Sequence, residues 1–471
     1  MPSRAAAPAR CNHAVLRFSP SAHAAEAGFS GPTARQRATA ATASAEATTK
    51  ASGKRKRDVE SNAKAEAYPA PLILPGDDLA LDPTYPTQSF WQWLRMKPGE
   101  RNEVTSKRRT IYVAGPPDIT DEVAFMRTWN TPSPSSKGKT KKDLAVPPPQ
   151  MPDVVNYVEA FYHGLPVKIF PASDLSFTAW ESQRSMASKT GVRSTKTPSI
   201  GLRTSKEVVR IRTRPSRDHV YKAQLNLDDL LDGAIAMLPK DAYALLLLVE
   251  QDLFEDEEDE FVCGLAYGGS RVAVVSMARY HPNLDEQQNV EREHAWPASH
   301  CDEYVRACCE AENGADSSSP AKRKKTKMSK DPFSTASLFE ADSVTGLALG
   351  AAVSVHAALP TLSLSISAAA LSGLWLGRVC RTASHELGHC FGIDHCVYYA
   401  CNMQGSASIV EDARQAPYLC PVDSAKVEKA TGASAEERNR ALVRFCDDHK
   451  DVHLFAALGA WLRGFLEGDE D

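Results

Sequence analysis

The chain has 471 residues, 42% of them hydrophobic, with 55 Lys and Arg against 59 Asp and Glu and a net charge of −4. That length holds one large or two ordinary domains with tails, and the composition is that of a soluble globular chain. The near-neutral balance excludes a global field aimed at nucleic acid or a membrane surface, and the first residues lack the basic stretch, apolar core and small-residue cleavage site of a secretory leader. The eleven cysteines are therefore expected in a reducing, intracellular setting (cytoplasmic, nuclear or both), as thiols or metal ligands rather than disulfides.

In chain order, residues 1–66 are rich in Ala, Ser, Thr and Arg and poor in aromatics, and are expected to form a disordered tail. Lys54-Arg55-Lys56-Arg57 reads as a solvated charge run, with nuclear import as the alternative. The main domain is expected over 86–455. It opens with a helical segment at Gln88–Leu94, followed by a strand at Thr110–Ala114 closed by Gly115-Pro116-Pro117. A Ser/Lys/Pro-rich loop is expected over 131–150. Val154–Phe161 has helical spacing, Pro166–Phe170 reads as a strand, and Leu225–Leu238 reads as an amphipathic helix ended by Pro239. Ala244–Val249 is a continuous apolar run, as in a strand buried on both faces, and Arg271–Ser276 is another strand. Between them Glu255–Glu260 is an acidic run without the glycine-turned loop of a calcium site, so a solvated loop is expected. Strands alternating with helices predict an α/β layer architecture.

Two segments look like insertions. Residues 311–335 are of low complexity and include the basic cluster Lys322–Lys327. Residues 343–377 run without Asp, Glu, Lys or Arg. They are long enough to cross a bilayer, but their Ser and Gly content, His356 and Pro360 favour a partly buried loop or helical insertion.

The chemistry is concentrated at His385-Glu386-Leu387-Gly388-His389-Cys390-Phe391-Gly392-Ile393-Asp394-His395. Residues four apart share one face of a helix, so His385 and His389 can offer imidazole nitrogens to one ion. Glu386 stands beside them, placed to address a water without ligating the metal. A straight helix cannot supply the third ligand. Gly392 tolerates the positive φ that turns the chain back, so that His395 closes a three-histidine zinc site with one position open. An accidental HExxH is expected roughly 0.02 times in such a chain, and the added Gly392 and His395 lower that to about 3 in 100,000.

Cys396, Cys401, Met403 and Cys420-Pro421-Val422-Asp423 follow. With these residues Arg381–Pro421 resembles the archaemetzincins, a metzincin family with the pattern HExxHxxGxxHC, four residues, C-x-M and a later CxxC. The resemblance implies a metzincin-like catalytic domain: a mixed, mostly parallel twisted sheet, an active-site helix carrying HExxH, and a Cys-rich zinc-binding C-terminal part. It implies catalytic zinc on His385, His389 and His395, and Glu386 as general base for hydrolysis of peptide bonds by a zinc-activated water. It implies a methionine turn at Met403 and a second, structural zinc on Cys396, Cys401 and Cys420. Asp423 replaces the expected fourth cysteine, so Asp423 itself, Cys446 or His449 completes that site, or it is weakly held.

The partner expected is a peptide or protein substrate, paired with an edge strand in the region Gly264–Val275. Neither nucleic acid nor membrane is expected as a partner. The alternative function is an inactive, zinc-stabilised binding or scaffold protein, against which the retention of Glu386 argues.

Overall fold

Eight consecutive buried residues, Ala242–Val249, set the architecture, because a strand apolar on both faces needs a layer on each side. The structure, a computed structural model, describes residues 11, 13–44, 67–133, 145–180, 199–315, 338–339, 348–359 and 367–466. The strands used below are β1 (Leu16–Arg17), β2 (Thr110–Ala114), β3 (Asp118–Ile119), β4 (Val167–Ile169), β5 (Ser176–Ala179), β6 (Ser199–Arg203), β7 (Val208–Arg214), β8 (Gln224–Asn226), β9 (Ala242–Val249), β10 (Asp252–Phe254), β11 (Gly264–Tyr267) and β12 (Val272–Ser276). The helices used below are α1 (Ala22–Glu26), α2 (Ala34–Ala40), α3 (Phe90–Leu94), α4 (Met151–Phe161), α5 (Leu227–Met237), α6 (Asp302–Ala315), α7 (Ala348–Ala358), α8 (Ala368–Cys390), α9 (Pro421–Thr431), α10 (Ala435–Asp448) and α11 (His453–Leu466).

A five-stranded sheet runs in the order β11-β12-β9-β2-β4, parallel throughout except for the antiparallel edge strand β11. A six-stranded sheet, β10-β8-β7-β6-β5-β3, is antiparallel from β8 to β5. The architecture is mixed α/β, as the alternation of elements predicts. The second sheet was not foreseen, since β5 and β6 are only four and five residues long and β7 alternates arginines with uncharged residues.

Alternation along the central strands shows how the layers divide. Ala244, Leu246 and Leu248 of β9, with Ala273 and Val275 of β12, pack in the cluster that holds Val379, Ala383 and Leu387 of α8. Leu245, Leu247 and Val249 point the other way, into a cluster with Leu230, Leu231 and Ala234 of α5 and with Phe177, Ile200, Leu202 and Ile211 of the second sheet. The sheet is therefore a wall between α8 and the rest, and it fixes the height of α8 against its own edge. Leu246 is fully buried on the α8 side. Leu246→Ala should cost about 2–5 kcal/mol of stability by loss of apolar burial plus a cavity. A urea midpoint within error of wild type would show that this face does not carry the fold.

Several expectations are corrected. The region Leu225–Leu238 divides into β8 and α5, because the Asn226 side chain accepts from the Asp229 backbone and starts the helix there. Within the segment expected to be a disordered tail, residues 13–44 carry β1, α1 and α2, with Ser21 and Thr33 as N-caps. Leu16, Phe18 and Ala24 are buried; an average over the Ala- and Ser-rich segment hid these few anchors. Lys54–Arg57 lies outside the described residues, as does Lys322–Lys327.

The uncharged stretch 343–377 is not an appended loop. Its described parts are α7 and the first turns of α8, the helix that carries the histidines. It lacks charge because α7 packs against α11, with Gly464 lying against Ala348, and α11 also takes the fold past residue 455 to Leu466. Among the described residues no helix is long and apolar enough to cross a membrane.

Candidate metal centre

Helix α8 begins at Ser367, whose side chain accepts from the Ala370 backbone, and runs to Cys390. Its last turns are buried against the sheet, so His385 and His389 project from the one remaining face. The helix end is held from outside. Trp93 of α3 donates from Nε1 to the Phe391 carbonyl (2.9 Å), Asn102 donates to Cys390 (3.0 Å), and Gln88 donates to Gly392 (3.0 Å). These bonds satisfy carbonyls that a helix end leaves without partners. The Tyr162 hydroxyl donates to the Ser384 carbonyl at 2.5 Å, one residue before the first histidine.

Gly392 has φ +69°, and a Cβ there would come within 3.0 Å of Arg101 Cα and 3.1 Å of the Glu100 carbonyl. Conformation and close approach together demand glycine at this turn. Beyond it the chain returns, and the ligating atoms of His385, His389 and His395 all lie within 4.8 Å of one another. The Nε2 atoms of His385 and His389 are 3.1 Å apart. His385 places Nδ1 2.6 Å from the Asn402 carbonyl, and His389 places Nδ1 2.7 Å from the Ile393 carbonyl. Only a protonated Nδ1 can donate to a carbonyl, so each ring turns its Nε2 lone pair towards the common centre. Burial keeps all three rings neutral. It lowers His385 well below the ordinary histidine value, aided by the other two imidazoles, lowers His389 to about 4, and lowers His395 as well.

Glu386 lies against the edge strand of the sheet. A Cβ on Gly264 of β11 would meet Glu386 Oε1 at 3.2 Å, so the absence of a side chain there leaves room for the carboxylate. Burial pushes the Glu386 carboxyl up to about 8, partly opposed by the positive charge of Arg381, which is itself paired with Asp412. Met403 is fully buried beneath α8, and a Cβ on Gly388 would collide with its sulfur. The Met403 carbonyl accepts from the Cys396 N–H (2.7 Å), which ties this floor to the strand-like return after His395.

A second group gathers Cys396, Cys401, Cys420 and Asp423, all buried and within 4.8 Å of one another. Cys396 and Cys420 have their sulfurs 3.6 Å apart, and Asp423 Oδ2 lies 3.3 Å from Cys401 and 3.5 Å from Cys420. Of the three residues left open for the fourth position, Asp423 is the one beside the thiols. Cys446 is buried against Gly459, and His449 faces Asp153 and the Phe445 carbonyl. The other carboxylate oxygen of Asp423 takes a 2.8 Å bond from Lys426, buried to 1% exposure, which in turn donates to Gln88. Burial and the Cys396 charge push the Asp423 carboxyl up to about 7, against the pull of Lys426.

Lys426, Gln88, Trp93, Asn102 and Tyr162 were not found from the sequence. They come from separate elements and have no spacing relative to the histidines, so no local pattern marks them.

A helix-borne histidine pair, a glycine turn and a returning third histidine together form a candidate metal centre. Residues 345–429 match the model of Peptidase family M54. Archaemetzincin-2 of Macaca fascicularis is 45% identical over 78 residues, which are 17% of this chain and 22% of that protein. The archaemetzincin of Methanopyrus kandleri is 45% identical over 47 residues, 10% of this chain and 27% of that protein. The crystal structure of archaemetzincin from Methanopyrus kandleri aligns with 70% of this chain and 99% of its own, at 14% identity and a TM-score of 0.31. The matched segments thus span only 22% and 27% of the length of those two curated relatives.

Proposed function

We propose that the chain is a zinc-dependent metallopeptidase in which His385, His389 and His395 hold the catalytic ion and Glu386 is the general base. The observation that carries this reading is the convergence of three neutral imidazoles, two of them oriented by backbone carbonyls, beside a buried carboxyl that ligates nothing. The donor set fits zinc: three nitrogens leave one position open, as hydrolytic sites require. When bound, zinc supplies Lewis acidity, polarising the scissile carbonyl and acidifying a water. Glu386 takes the proton of that water during attack and passes it to the leaving amine. With an ion held by the three histidines, opposite-charge attraction would favour the ionised form of the Glu386 carboxyl. The substrate lies extended along the edge strand β11, whose Gly264 abuts Glu386, so that main-chain pairing brings the scissile bond to the base. A peptide-library digest by zinc-loaded protein, with Glu386→Ala as control, tests the reading. Cleavage by wild type alone supports it, and the absence of any cleavage by zinc-loaded wild type overturns it.

The second ion is structural and is held by Cys396, Cys401, Cys420 and Asp423. With three thiolates and a carboxylate the site carries excess negative charge, which buried Lys426 offsets. An oxygen donor is harder than the thiolate it replaces, so this site should bind zinc less tightly than four cysteines. Asp423→Cys should slow zinc loss to a chelator and raise the melting temperature, with peptide hydrolysis nearly unchanged. X-ray absorption checks the ligand set: three sulfurs and one light atom in wild type, four sulfurs in the variant. Wild-type zinc retention in Asp423→Ala would remove Asp423 from the ligands.

A further inference from the structure

A third group of potential ligands lies far along the chain from both sites. Cys11, His13 and His294 bring one sulfur and two ring nitrogens within 4.8 Å of one another. His294 is 5% exposed, and among the described residues its buried Nε2 has no hydrogen-bond partner. His13 Nε2 is buried and unpartnered in the same way. Two such nitrogens in rings whose centroids are 5.5 Å apart are unusual, because buried polar atoms are almost always paired. The His294 ring is also held in place: its Nδ1 sits 3.0 Å from the Glu291 carboxylate, and it stacks on Tyr304 with centroids 4.1 Å apart. A carboxylate on one ring nitrogen with the other left free is the arrangement that orients a ligating histidine. His13 has φ +51°, in the left-handed region where a non-glycine residue is strained, and this places its ring edge-on to His294 at 5.5 Å.

We propose that Cys11, His13 and His294 form a third metal site that takes a thiolate- and imidazole-preferring divalent ion, zinc in the first place. Two imidazoles and a thiolate suit zinc better than calcium or magnesium, which require oxygen donors. A thiol ligates as the thiolate, so the Cys11 proton leaves to solvent as the ion enters. The site joins the segment before β1 to the segment before α6. Those segments also meet through an isolated bridge between Leu16 and Cys301, the Asp302 N–H to the Val15 carbonyl, and the Arg17–Asp302 ion pair. The ion therefore acts as a staple on the N-terminal segment and stands apart from the hydrolytic centre.

The competing fate of Cys11 is a disulfide with Cys301, whose sulfur lies 2.6 Å away. Full-length protein kept under thiol reductant, loaded with zinc and freed of excess, separates the two. Wild type should hold about one equivalent of zinc more than His294→Gln, His13→Gln or Cys11→Ser, one ligand set holding one ion. Zinc should also protect Cys11 from alkylation in wild type and fail to do so in His13→Gln, a readout that survives if the His294 variant does not fold. Because each variant is compared with wild type, the result does not depend on the occupancy of the other two sites. Equal zinc content in wild type and all three variants would overturn the proposal, as would alkylation of Cys11 that is indifferent to zinc. A Cys11–Cys301 linkage found by peptide mapping of the reduced, zinc-loaded protein would overturn it too.

Discussion

Replacing Glu386 by Gln should lower peptide hydrolysis by about 10²-fold or more, the usual cost of a lost general base, while zinc content stays at the wild-type level. Glutamine keeps the shape of the side chain and its place against Gly264, so the edge of the sheet is not disturbed. What it cannot do is accept the proton of the attacking water. The substitution also removes an ionisable group that is 7% exposed and whose charged form burial disfavours, so stability should hold or rise slightly. The measurement is kcat/KM on any peptide that wild type cleaves, with metal content and melting temperature determined on the same samples. Turnover within tenfold of wild type would place the base on another residue.

His389→Ala should abolish hydrolysis and remove about one equivalent of zinc, because a three-ligand site has none to spare. His389 is the central case, since its Nε2 lies 3.1 Å from that of His385 and its Nδ1 is fixed by the Ile393 carbonyl. The ring is only partly buried, at the open face of α8, so circular dichroism should report an intact fold. Unchanged zinc content in a folded variant would show that this histidine is not a ligand. The Asp423 and Cys11 experiments read different ions, and a loss confined to one variant identifies which site failed.

Much of the fold's centre could be read locally. The strand at Thr110–Ala114 was placed residue for residue, and Ala244–Val249 and Arg271–Ser276 nearly so, because a buried parallel strand is apolar on both faces and needs no partner to be recognised. The second sheet was missed for the opposite reason. Val208–Arg214 alternates Val, Ile and Thr with Arg, and its pairing with β6 and β8 depends on residues elsewhere in the chain. The uncharged stretch before the motif left a partly buried loop and a helical insertion both open. A helix packed on another helix and an apolar loop share one composition, and only the packing of α7 on α11 distinguishes them.

By itself the sequence determined the spacing of His385, Glu386, His389, Gly392 and His395, since helix geometry and the conformational freedom of glycine act over a few residues. It also determined that three cysteines and Asp423 follow that helix. Only the tertiary structure decided that Asp423, rather than Cys446 or His449, lies beside the thiols, with Lys426 against it. The same holds for Gln88, Trp93 and Asn102, which hold the carbonyl end of α8, and for the meeting of Cys11 and His13 with His294. Such residues are brought together by the burial of whole elements, a free energy summed over many residues, and no short pattern records where in the chain the partners will be.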